Sequence, residues 1–145
     1  MKIYLDADAS PITNIVIDVA KEKNIPLIIV KNYSQNINSS YPTIISVDIS
    51  AESADLYIVN HLEKDDLVIT QDRGLSALVL SKESYVMDFF GNIVNDDNIN
   101  IFLGLRHVNS INRKKGIYSK NKKRQNKDNL EFKEKLIKFL EESLW

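Results

Sequence analysis

The chain has 145 residues, no cysteine and a formal net charge of −1 at pH 7. This length is typical of one domain that buries an ordinary core, and the lack of cysteine excludes disulfides, thiolate metal sites and cysteine nucleophiles. An acid at position 6 interrupts the apolar start, and no later apolar run is long enough to cross a bilayer. We therefore expect a cytoplasmic protein without a membrane segment.

Charge is distributed unevenly along the chain. Residues 1–97 have a net charge of −8, residues 98–127 have +9 with no acid, and residues 128–145 have −2. An acidic body beside a basic segment is typical of a protein that has an ion-binding or catalytic site and also contacts an anionic polymer. The alternative interpretation of the basic segment is a solvated, charged loop.

The chain begins with a predicted strand, helix and strand. An apolar run at 3–5 predicts the first strand. Ser10 then predicts a helix N-cap with Pro11 at the first helical position, and apolar residues recur at helical spacing until the pattern stops at 23. A β-branched run at 27–30 predicts a strand covered on both faces. Together they predict a βαβ unit with a right-handed crossover.

The next part of the chain continues the same alternation. A third strand is predicted at 43–47, followed by a helix that Ser53 caps. The clearest strand lies at 67–70, and a short helix at 75–80 and a final strand at 85–87 follow it. Strands and helices of these lengths predict an α/β fold with a doubly wound, mostly parallel sheet.

The carboxyl-terminal part is basic and then amphipathic. A basic segment at 106–127 precedes a helix at about 129–144, and we assign both to one domain that spans 1–145. The apolar residues predicted to share one face of that helix are Leu130, Ile137, Leu140 and Leu144.

Aspartates stand at predicted element ends that meet at one edge of the sheet. Asp6 ends the first strand and Asp72 follows the strand at 67–70, and ligands of doubly wound sheets bind beyond such carboxyl ends. Asp8 shares a face with Asp6 if the chain stays extended, and Asp55 lies in the first turn of its helix. This arrangement predicts a site for a hard divalent cation, Mg²⁺ or Mn²⁺.

Two of these acids have structural alternatives. Asp55 can stabilise the dipole of its helix from the first turn. Asp72 can cap the helix at 75–80. Three acidic positions at element ends together favour the metal site over coincidence.

Three stretches in this order resemble the YaiI/YqxD-like family: Asp6-Ala7-Asp8-Ala9-Ser10-Pro11, Ala54-Asp55 with Ile58, and Asp66-Leu67-Val68-Ile69-Thr70-Gln71-Asp72. The ordered trio is more specific than any one stretch, and the resemblance covers about residues 1–105. The family is similar to PIN domains, whose known members are largely metal-dependent ribonucleases. The resemblance therefore implies a PIN-like fold and a metal-dependent reaction on RNA.

The resemblance also implies roles for individual residues. Asp6, Asp55 and Asp72 match the metal-binding acids of PIN domains, and Asp8 matches a position that is commonly Asn or Asp. Thr70 resembles the hydroxyl residue two positions before the last acid.

Three positions depart from the family's pattern. Ser10 stands where the family usually has cysteine, so a role for a thiol there does not carry over. Phe89-Phe90-Gly91 keeps only the glycine of the usual Pro-Arg-Gly turn. Residues 119–126 are basic but lack the Gly-Pro-Lys-Pro-like stretch, so no specific contact made there is transferred.

Basic residues are the candidates for binding nucleic acid. They are Lys114, Lys115, Lys122, Lys123 and Arg124, with Tyr118 among them as a ring that can stack on a base. Arg73 can steer a phosphate or pair with a neighbouring carboxylate. His61 and His107 are assigned surface or helix-face roles, because nothing places them beside a nucleophile.

These residues support one leading hypothesis and two alternatives. The leading hypothesis is a phosphodiesterase acting on RNA, in which bound metal activates water and Asp8 is a further ligand or orients that water. Asp6-Ala7-Asp8-Ala9-Ser10 also resembles the haloacid-dehalogenase phosphatases, whose first Asp is the nucleophile and whose second is an acid/base. The third hypothesis is a PIN-like module that binds RNA or a protein partner without catalysis.

Overall fold

A computed structural model describes residues 1–7, 10–32, 37–48, 52–99 and 123–143 of the chain. In chain order, the elements in these ranges are β1 (Ile3–Asp6), α1 (Thr13–Lys23), β2 (Leu27–Asn32), β3 (Thr43–Val47), α2 (Glu52–His61), β4 (Leu67–Ile69), α3 (Arg73–Ser81), β5 (Tyr85–Met87), β6 (Ile93–Val94) and α4 (Asn126–Ser143).

The strands form one six-stranded sheet in the order β3-β2-β1-β4-β5-β6. The first five strands are parallel, and β6 pairs antiparallel with β5. The chain passes from β1 to β2 and β3 on one side, then returns to place β4 and β5 on the other. The predicted doubly wound α/β fold is therefore confirmed, and its topological switch point lies between the carboxyl ends of β1 and β4.

Alternating side chains of the strands build a core on each face of the sheet. Ile3 and Leu5 of β1 pack in a cluster with residues of α1 and α4, whereas Tyr4 packs in a second cluster with residues of α2 and α3. The same alternation directs Asp6 to the face that α2 and α3 cover. Thr70 continues β4 by donating its main-chain N–H to the carbonyl of Met87 at 3.0 Å.

Helix α1 begins later than its sequence predicts. Ser10 was expected to be the N-cap with Pro11 in the first turn, but the helix begins at Thr13 with Ile12 as N-cap and no capping side chain. The hydroxyl of Ser10 instead accepts from the N–H of Ile12 at 3.3 Å. This local bond forms a turn ahead of the helix and competes with the capping role.

Helix α4 begins earlier than the predicted position of about 129. Asp128 accepts from the N–H of Gln125 at 2.8 Å, which is the backward bond of a capping box and starts the helix at Asn126. The last two residues of the predicted basic segment are therefore helical. The predicted apolar face is also corrected, because Leu130 is 63% exposed; the buried residues are Phe132, Leu136 and Leu140. Leu144 lies outside the described residues.

Three smaller corrections concern element ends. Helix α2 begins at Glu52, so Ser53 lies inside the helix rather than at its N-cap. Helix α3 begins at Arg73 instead of 75. The strand at 85–87 is not the last one, because β6 follows after a turn in which Gly91 has a φ of 84°. Among the described helices, none is long and apolar enough to cross a membrane.

Candidate functional site

The hydroxyl of Thr70 joins the two strand ends at the switch point. Thr70 Oγ1 donates to Asp6 Oδ2 at 3.0 Å and accepts from the main-chain N–H of Asp72 at 3.0 Å. Thr70 is fully buried, so its position is fixed by the surrounding core. The structure therefore brings together Asp6, Thr70 and Asp72, and the sequence predicted that the two aspartates share one edge of the sheet.

Asp72 is the N-cap of α3, as its structural alternative predicted. Its Oδ1 accepts from the N–H groups of Gly74 at 2.9 Å and Leu75 at 3.2 Å. Its main-chain carbonyl accepts from the hydroxyl of Ser76 at 2.8 Å. These described contacts of the side chain engage only Oδ1, so the cap leaves Oδ2 available to a ligand.

Asp55 lies near the amino end of α2, on the face that packs toward the sheet. It precedes Ile58 and Leu62 by three and seven residues, and both of these are buried in the core on this side. The helix packs against β2 and α3 and follows the carboxyl end of β3. The topology therefore places Asp55 at the same edge of the sheet as Asp6 and Asp72.

The carboxylates in the described ranges do not by themselves form a metal site. No group of three or more acids and histidines among those residues is arranged to hold a metal ion. Asp8, the fourth predicted ligand, lies outside the described residues, as do Lys114, Lys115 and Lys122. The donors that are placed are all oxygens, which is the chemistry that Mg²⁺ and Mn²⁺ prefer.

Arg73 contacts a carboxylate that sequence reasoning missed. Its Nη2 lies 3.8 Å from Asp88 Oδ2, so the ion-pair alternative for this residue is confirmed. Asp88 is buried and its Oδ1 also accepts from the N–H groups of Phe90 at 2.8 Å and Asn92 at 2.9 Å. The sequence signal for Asp88 is its position directly after a buried strand. Asp72 likewise stands just beyond a buried strand.

Arg124 is held against the turn between β5 and β6. Its Nη2 donates to the carbonyl of Phe89 at 2.6 Å, its Nε donates to Asn129 Oδ1 at 2.7 Å, and its Cζ lies 4.7 Å from the centre of the Phe90 ring. Burial lowers the pKa of the Arg124 guanidinium, while Asp128 and Asp88 act to raise it. Lys123 beside it is exposed.

His61 is the one histidine among the described residues, and it lies apart from these contacts. His61 is an exposed residue at the end of α2, and its ring stacks on Tyr57 with centroids 4.1 Å apart. This agrees with the helix-face role predicted for it. His107 lies outside the described residues.

Comparison with known proteins identifies the family. Residues 4–142 match the sequence profile of a family described as "Uncharacterized BCR, YaiI/YqxD family". The chain belongs to the YaiI/YqxD family. This confirms the resemblance that the three ordered stretches carried, and the match extends through α4, well beyond those stretches.

Proteins named UPF0178 are similar to the chain over nearly its whole length. A UPF0178 protein of Alkaliphilus oremlandii is 39% identical over 99% of this chain and 94% of its own length. A UPF0178 protein of Natranaerobius thermophilus is 41% identical over 92% of this chain and 91% of its own. No solved structure matches the chain significantly.

Proposed function

We propose that this YaiI/YqxD family member is a metal-dependent phosphodiesterase that cleaves RNA. The observation that carries the proposal is a pair of bonds at Thr70 Oγ1, which donates to Asp6 and accepts from the N–H of Asp72 and so holds the two segments together at the switch point of the sheet. Ligands of doubly wound sheets bind at this crevice. The resemblance to PIN domains supports the reaction class, and a cytoplasmic location would give access to RNA.

The proposed cofactor is Mg²⁺ or Mn²⁺. Asp6, Asp8, Asp55 and Asp72 would hold it, because they offer oxygen donors from elements that end at this edge. When bound, such an ion supplies an activated water and stabilises negative charge on the phosphate and the leaving oxygen.

The residues of the chain would act mainly by positioning. The bond from Thr70 to Asp6 fixes the direction in which that carboxylate presents its oxygens, and the N-cap bonds fix Asp72 against α3. Fixed carboxylates need little rearrangement as charge develops, which is how preorganised sites accelerate reactions. The basic residues Lys114, Lys115, Lys122, Lys123 and Arg124 would attract the phosphates of the substrate.

The test is cleavage of a labelled single-stranded RNA by the full chain. We expect cleavage with Mn²⁺ or Mg²⁺, none in excess chelator, and a loss of at least about 100-fold in Asp6→Asn, because the ligand charge is removed while the shape is kept. Asp18→Asn is the matched control, since Asp18 is an exposed acid on α1. Equal cleavage by both variants would contradict the assignment of Asp6.

The same preparation separates the two alternatives. Trapping a phosphoaspartate at Asp6 would indicate a phosphatase that uses Asp6 as its nucleophile and Asp8 as acid/base. Measurable RNA affinity with no strand cleavage across varied substrates and both metals would indicate a binding module.

A further inference from the structure

An open groove of about 580 Å³ lies where the turn after β5 meets the start of α4. It is lined by Phe90, Lys123, Arg124, Gln125, Lys127 and Asp128. Three of these side chains are cationic and one is anionic. The anion, Asp128, already accepts from the N–H of Gln125 in the helix cap. The groove therefore offers positive charge to an anionic ligand.

Phe90 gives this groove an exposed aromatic surface. Its side chain is 39% exposed although its neighbour Phe89 is buried. The guanidinium of Arg124 lies over the ring at 4.7 Å from its centre. An exposed ring with a guanidinium over it is a surface on which a nucleobase can stack, and such stacking accepts any base.

Arg124 is positioned before any ligand arrives. Its bonds to the carbonyl of Phe89 and to Asn129 hold the plane of the guanidinium in place. These two bonds use only part of its donors, so others remain for a phosphate. A side chain that is already ordered loses little conformational entropy on binding.

The groove is connected to the candidate catalytic edge. The N–H of Phe89 donates to Gln71 Oε1 at 3.0 Å, and Gln71 directly precedes Asp72. Asp88, at the start of the same turn, forms the ion pair with Arg73 at the start of α3. A single-stranded nucleic acid held in the groove would therefore lie beside the edge of the sheet that carries Asp6 and Asp72.

We propose that Phe90 and Arg124 form a stacking subsite for one base of a single-stranded nucleic acid, whose flanking phosphates contact Lys123 and Lys127. This rests on the proposed function in one respect only, that the bound strand is the substrate. Binding itself requires neither metal nor cleavage.

The test measures the affinity of labelled single strands for the full chain in chelator, so that cleavage does not contribute. Phe90→Leu should weaken binding of a short single-stranded RNA about tenfold with an unchanged salt slope, because a stacked base is lost but no phosphate contact. Phe90→Tyr should restore affinity. A fluorescent base analogue in the strand should be quenched by the wild type and much less by Phe90→Leu.

Charge is tested separately with Lys123→Gln/Lys127→Gln. This variant should lower the steepness of the salt dependence by about 0.7 for each lost contact with a single strand. Lys133→Gln/Lys138→Gln is the matched control, because both lysines are exposed on α4 beyond the groove. Tyr85→Leu is the matched aromatic control, since Tyr85 is also 39% exposed but lies at the opposite end of β5.

The outcomes distinguish the subsite from the reaction. Equal losses in Phe90→Leu and Tyr85→Leu, or no binding of any single strand at low salt, would overturn the subsite. Intact, Phe90-dependent binding without metal-dependent cleavage would support the subsite and contradict the phosphodiesterase.

Discussion

The aspartates at the two edges of the sheet form different hydrogen bonds, although Asp66 and Asp72 flank the same strand, β4. At the amino edge, Asp66 Oδ1 accepts from the N–H of Lys2 at 2.9 Å and its Oδ2 accepts from the N–H of Glu63 at 2.9 Å. At the carboxyl edge, Asp72 uses Oδ1 for its cap, and Asp6 accepts from the hydroxyl of Thr70.

This difference separates a structural acid from a candidate ligand. Asp66 is 3% exposed, and main-chain amides from two segments donate to both of its oxygens. Lys2 Nζ also lies 3.9 Å from Asp66 Oδ2. Asp72 is only partly buried and has an oxygen directed to no described partner. What distinguishes the two is therefore the number of carboxylate oxygens that the main chain uses, which the sequence pattern does not reveal.

The largest expected effect on stability is at the amino edge. Asp66→Ala should lower the free energy of unfolding by about 3 kcal/mol, because it removes the two hydrogen bonds that the buried carboxylate accepts from main-chain amides. Urea denaturation of the wild type and the variant measures this. A loss below about 1 kcal/mol would mean that water replaces the carboxylate and that the amino edge is not fixed by Asp66.

A smaller loss of stability is expected for substitution of Asp88. This substitution tests whether an acid at the carboxyl edge also stabilises the fold. Asp88→Asn should cost about 2 kcal/mol, because it removes the charge that Arg73 pairs with in a buried setting. A thermal melt should then show a fall of about 4–8 °C for a domain of this size. An unchanged melting temperature would mean that Asp88, like Asp72 and unlike Asp66, contributes little to stability.

Thr70 should show a modest effect on stability and a larger one on cleavage. Thr70→Val keeps the shape but removes the hydroxyl that links Asp6 and Asp72. The free energy of unfolding should therefore fall by about 1 kcal/mol. Thr70→Ser keeps the hydroxyl and serves as the control. Cleavage that falls in proportion to stability alone would contradict a positioning role for this hydroxyl.

Much of the fold followed from the sequence because the strands are continuous apolar runs. The third strand and the one at Tyr85–Met87 have the predicted ends, since proline or a polar residue flanks each of them on both sides. Strand β6 was missed because two residues, Ile93 and Val94, are too short to show a period. The face of α4 was misjudged because the sequence does not show that Phe132, rather than Leu130, meets the core.

The candidate site was predictable in its position but not in its bonds. Asp6 and Asp72 follow the carboxyl ends of two parallel strands. In a doubly wound sheet, the topology alone is therefore enough to predict that they lie at the same edge. The long-range contacts of Arg124 with Phe89 and Phe90 depend on the docking of α4, which residue spacing does not encode.

Without metal, Asp72→Asn should change the free energy of unfolding by less than about 0.5 kcal/mol, since asparagine caps about as well and carboxylate repulsion is relieved. Melting curves of the wild type and this variant over a Mn²⁺ titration, with Ca²⁺ as the comparison ion, test the central claim most directly. At 100 times the dissociation constant the wild type should gain about 2.7 kcal/mol, and Asp72→Asn should gain little. Parallel responses of the two proteins to Mn²⁺ would contradict Asp72 as a ligand and the metal site with it.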